Sequence, residues 1–73
     1  MEKLRLRRVS MGLTQGELAS QVGTTEGYYR HIEAGRAVPS AETLHGLMRV
    51  LQVDAPEAIG FRVDLVETVV IDG

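Results

Sequence analysis

Apolar residues recur every three or four positions through the first fifty residues and every second position near the end. That change of period predicts helices followed by a strand. A first helix is expected over residues 2–11, with Leu4, Leu6 and Val9 on its apolar side and four basic residues around them. Gly12 closes it as a C′ glycine does. Thr14, with Glu17 three residues later, has the spacing of a capping box. It opens a second helix that carries Leu18 and Val22 on one face and the small Ala19 beside them, and Gly23 ends it. Thr24 or Thr25 caps a third helix with Tyr29 and Ile32 turned inward, closed by Gly35. After Pro39, Ser40 caps a fourth helix with the stripe Leu44, Leu47, Met48 and Leu51, and Val53 completes the stripe. Asp54-Ala55-Pro56-Glu57 is a further start signal, with proline in the first turn, for a short fifth helix ending near Gly60.

Residues 61–71 differ in kind. They hold no glycine or proline, and β-branched side chains dominate. Phe61, Val63, Leu65, Val69 and Ile71 share one face at period two, with Glu67 as the break. A helical alternative stays open, because Phe61, Leu65 and Val69 are also spaced by four. Read as one strand, the segment has no partner in its own chain. Its edge is then met most simply by the same strand of a second subunit.

At 73 residues the chain suits a single small domain. Such a domain buries only about 60% of its unfolded surface, so oligomerisation is a natural supplement to its core. Cysteine is absent, which removes disulfides and thiolate metal sites. The apolar runs are too short to span a membrane and the N-terminus has no signal-peptide core, so a cytoplasmic protein is expected. The net charge of −2 is unevenly spread. Residues 1–50 hold seven basic against five acidic groups, whereas residues 51–73 hold one against five. An acidic tail thus follows a mildly basic body, the asymmetry of a chain with one nucleic-acid-facing half.

Two capped helices hinged at Gly23 have the shape of a helix-turn-helix, whose second helix can enter the major groove of DNA. The match extends to a family. Gly12-Leu13-Thr14-Gln15, Glu17-Leu18-Ala19, Gly23, Thr24-Thr25, Ile32-Glu33, Gly35 and Pro39-Ser40 resemble the Cro/C1-type (Xre-like) helix-turn-helix domain over residues 4–53. The resemblance implies a mainly α, five-helix, lambda-repressor-like DNA-binding domain over residues 1–54. Residues 55–73 lie outside the family pattern and, on the strand reading, are expected to form a C-terminal dimerisation tail, with Phe61, Val63, Leu65, Val69 and Ile71 pairing across a dimer. The resemblance also implies that Gln15 bonds a DNA phosphate at the start of the second helix. Arg8 and Glu33 match an internal ion pair of the family, and Arg36 matches a basic position that touches the DNA backbone.

Base contacts are expected from the outward side of the third helix: Thr25, Glu26, Gly27, Tyr28, Arg30 and His31. Arg30 can bond guanine O6 and N7 together, and Glu26 can accept from cytosine N4 or repel wrong partners. Lys3, Arg5 and Arg7 are further candidates for phosphate contacts. Arg7, Gly16, Arg30 and Gly46 depart from the family pattern. No catalytic motif, metal-ligand spacing or cofactor signature is present, and His31 and His45 are linked by no spacing motif. The leading expectation is a repressor or regulator that reads a palindromic operator as a homodimer. Its rivals are an antitoxin-like regulator whose tail binds a protein partner by strand addition, and a structural domain that has lost DNA binding.

Overall fold

Among the described residues, four α-helices precede a two-stranded antiparallel ribbon. The structure, a computed structural model, describes residues 1–65 and 68–72. The helices are α1 (Glu2–Ser10), α2 (Gln15–Val22), α3 (Glu26–Glu33) and α4 (Ala41–Leu51). Each of the last three begins at a side-chain cap. Thr14 accepts from the Glu17 amide while the Glu17 carboxylate accepts from the Thr14 amide, closing the capping box. That amide holds the Glu17 carboxyl below its ordinary range. Thr25, rather than Thr24, caps α3, and Ser40 caps α4. Gly23 takes φ 86°, a left-handed conformation that lets the chain reverse within three residues between α2 and α3.

The fifth helix is a correction. Pro56–Ile59 forms one turn of 3-10 helix, four residues long. Pro56 opens it without an N–H, and Gly60 turns left-handed at its end, so there is room for a single turn. The single unpartnered strand is a second correction. The segment forms two strands, β1 (Phe61–Leu65) and β2 (Thr68–Ile71), paired within the chain. Phe61 lies opposite Ile71, Val63 opposite Val69, and Leu65 opposite Thr68, with an irregularity between Val63 and Leu65. Eleven extended residues would reach about 36 Å, longer than the 31 Å long axis of the molecule. Pairing within the chain satisfies the backbone locally instead. Glu67, the expected break in the period, lies outside the described residues.

One buried cluster joins every element. Leu4 of α1, Leu18 of α2, Tyr29 and Ile32 of α3, and Leu44, Leu47 and Leu51 of α4 meet Ile59, Phe61 and Val69 from the C-terminal segment. Full burial of such side chains contributes about 1.5–3 kcal/mol each. Phe61 and Val69, expected at a subunit interface, are therefore buried in the core of their own chain, while Val63, Leu65 and Ile71 remain exposed.

The apolar side expected for α1 is also corrected. Only Leu4 is buried, and Leu6 and Val9 are 53% and 52% exposed. Three and four residues beyond Leu4, the inward face continues with Arg7 and Arg8, and both find partners there. Arg7 donates from Nε to the Leu51 carbonyl at 2.7 Å and from Nη2 to the Gln52 carbonyl at 3.4 Å. It thereby caps the C-terminus of α4, where Gln52 holds a left-handed φ of 58° that few non-glycine residues adopt. Gly46 is buried where α4 crosses α2, and a Cβ there would lie 2.9 Å from Val22 Cγ1.

Candidate nucleic-acid interface

Helix α3 divides cleanly by side. Tyr29, Ile32 and Glu33 are buried, whereas Glu26, Gly27, Arg30 and His31 are exposed. Thr25 is exposed just before the helix and Arg36 just after it. Residues at 26, 27, 30 and 31 follow the i, i+1, i+4, i+5 spacing of one helical face. Gly27 has open space where a Cβ would stand, so backbone as well as side chains is presented there. Tyr28 sits between the two sides. It is half-buried against the core, and its hydroxyl donates to the Val38 carbonyl at 3.3 Å. Tyr29, its neighbour, is wholly inside.

A polar relay ties this outward face to the interior. Glu33 is buried at the end of α3 and accepts from Arg8 Nε at 3.0 Å. Arg8 reaches further, donating from Nη1 to the Leu13 carbonyl at 2.8 Å. The Gln15 amide nitrogen donates to the second oxygen of Glu33. On its other side, Gln15 Oε1 accepts from Arg30 Nε at 3.3 Å. Arg30 Nη2 lies 2.9 Å from Glu26 Oε2. Gln15 is thus oriented from both ends, and one of its two amide hydrogens is left for an anion at the start of α2.

The Tyr29 hydroxyl is buried and finds no hydrogen-bond partner among the described residues. Burial pushes its phenol well above its ordinary range, and the Glu33 carboxylate adds to the effect.

Lys3 of α1 is exposed, whereas the three arginines of that helix have other engagements. Arg5 pairs with Glu2 at 3.0 Å on the surface, Arg7 holds the end of α4, and Arg8 holds Glu33. The Arg7 contact escaped sequence reasoning, although Arg7 stood out there as a departure from the pattern. The other unforeseen position is Gly16, whose lack of a side chain leaves room for the Glu26 carboxylate. Among the described residues no group of three histidine, aspartate or glutamate side chains could hold a metal ion. None of the described helices is long and apolar enough to cross a membrane.

These features define a small, mainly helical domain in which a capped helix pair around Gly23 presents one polar helix face to the outside. A family model described as a helix-turn-helix domain matches residues 2–58. The chain belongs to the helix-turn-helix domain family, in keeping with its likeness to the Cro/C1-type group. Searches of curated proteins and of solved structures return no match.

Proposed function

We propose that the chain is a sequence-specific double-stranded DNA-binding regulator, a repressor that sets α3 into the major groove. The observation that carries this reading is the division of α3. One face is buried in the core, while the other offers Thr25, Glu26, Gly27, Arg30 and His31 beside an oriented Gln15. Gln15 and Arg36 then hold the DNA backbone, and Tyr28 adds an aromatic edge beside the base-reading positions. Selection of bound sequences from random duplexes tests the reading. A palindromic site with half-sites about 34 Å apart is the expected result. Log affinity should fall with log salt at about −0.9 per phosphate neutralised by a basic side chain. No enrichment over random sequence at low salt would reject the assignment.

The homodimer belongs to the same proposal. Each strand of a two-stranded ribbon has one unpaired edge, and Val63, Leu65 and Ile71 stay exposed beside those edges. Phe61 and Val69 belong to the core, so cutting the chain after Gly60 would test folding rather than association. Leu65→Lys, at a residue 71% exposed, is the cleaner probe. It should convert dimer to monomer in light scattering with little loss of helix. The same open edge also favours a second reading, strand addition by a partner protein. A stoichiometric second protein that co-purifies with the wild-type chain but not with Leu65→Lys would support it.

A further inference from the structure

Arg30 is exposed, yet its guanidinium is held on one side. Its Nε–H donates to Gln15 Oε1 at 3.3 Å, and its Nη2 meets Glu26 Oε2 at 2.9 Å. Arginine carries five N–H donors in a rigid fork. The hydrogen bond and the ion pair both fall on the Nε/Nη2 side of the guanidinium. Nη1 has no such contact among the described residues, and one of its hydrogens with the adjacent Nη2 hydrogen forms the end of the fork that can bond guanine O6 and N7 at once.

The second oxygen of Glu26 explains a glycine. A Cβ on Gly16 would stand 2.8 Å from Glu26 Oε1 and 3.4 Å from the carboxyl carbon. Glycine is a poor residue inside a helix. At position 16 it leaves the space into which Glu26 lies across the turn between α2 and α3.

We infer that Glu26 is a specificity-determining positioning residue, which with Gln15 holds Arg30 end-on toward the groove while Gly16 leaves room for it. The inference rests on the DNA-reading function proposed above. An unheld guanidinium on a flexible stem finds the nearest phosphate, and phosphate contacts carry no sequence information. The brace biases the guanidinium away from that contact. Its carboxylate also repels phosphates, so binding to arbitrary DNA is weakened while the correct base contact is kept.

Two variants attack the brace by different routes. Glu26→Gln removes the charge. Gly16→Ala leaves the charge and displaces the carboxylate. Glu57→Gln, at an exposed residue of the 3-10 turn, serves as the control for net charge. Each is assayed on the selected operator, on operators with single base-pair changes, and on unrelated duplex. The Arg30 Nε–H signal of the free protein is followed by nitrogen-15 NMR. Both brace variants should bind unrelated duplex several-fold more tightly. Both should lose about tenfold discrimination at one base pair, within the range of a bidentate contact. Both should also lose the exchange protection of the Arg30 Nε–H seen in the wild type. The inference is overturned if Glu26→Gln behaves as Glu57→Gln does, or if the wild-type Arg30 Nε–H is unprotected. A wild-type chain with no preferred sequence removes the DNA reading and this inference with it. Failure of the brace alone leaves sequence preference intact.

Discussion

Arg8–Glu33 and Arg30–Glu26 are the same chemical pair at nearly the same distance, 3.0 and 2.9 Å. Their surroundings differ. The first pair is 13% and 5% exposed and the second 63% and 49%. In water an ion pair of this kind contributes a few tenths of a kcal/mol, whereas a buried charge that loses its partner costs about 3–5 kcal/mol. Distance therefore says little about what each pair does. Arg8–Glu33 fixes the relative positions of α1, α2 and α3, and its removal is a matter of folding. Arg30–Glu26 can open at small cost, and its removal is a matter of recognition.

The largest effect expected from this contrast is in Glu33→Ala. It leaves the Arg8 guanidinium half-buried without its counter-charge and should cost about 3–5 kcal/mol. Thermal denaturation should show a fall of at least 10 °C or so in a domain of this size. A midpoint within a degree or two of wild type would break the comparison. Arg7→Ala comes next, because it frees the Leu51 and Gln52 carbonyls at the end of α4. Loss of charge-assisted hydrogen bonds there should cost about 1.5–3 kcal/mol, read as a lower urea midpoint.

Tyr29→Phe sharpens the comparison from the opposite direction. It deletes a buried hydroxyl without a partner beside the Arg8–Glu33 pair, and stability should rise by about 1 kcal/mol. A destabilised variant would show that the hydroxyl is engaged. Smallest of all is the effect of Glu26→Gln on the melting of the free protein. It should stay within about 0.5 kcal/mol, as surface pairs do. A large loss of stability there would put Glu26 with the structural pair.

Much of this arrangement is legible from local signals. The Thr14, Thr25 and Ser40 caps, and the stripe of Leu44, Leu47 and Leu51, rest on rules that act within one or two turns. What escaped depends on contacts distant in sequence. Leu6 and Val9 look like core by composition, but beside Leu4 it is Arg7 and Arg8 that face inward, toward partners 44 and 25 residues away. The β-branched run from Phe61 declares extended backbone. It does not declare that the run pairs with itself, because that depends on the size of the body it packs against. At the candidate interface, the outward set at 26, 27, 30 and 31 follows from helical period alone. The joining of Gln15 to both Glu33 and Arg30 does not, because it needs the distance between two helices.

The separation of α3 into two sides also bears on how such a reader can change its address. Gly27 and His31 face open space or solvent, so they can be varied together without repacking Tyr29 or Ile32. Recoding at position 26 is different, since a new residue there must also suit Gly16 on the facing helix. A library that randomises the outward face should therefore vary residues 16 and 26 as a linked pair, and descendants of this chain that diverge in target should change those two positions together.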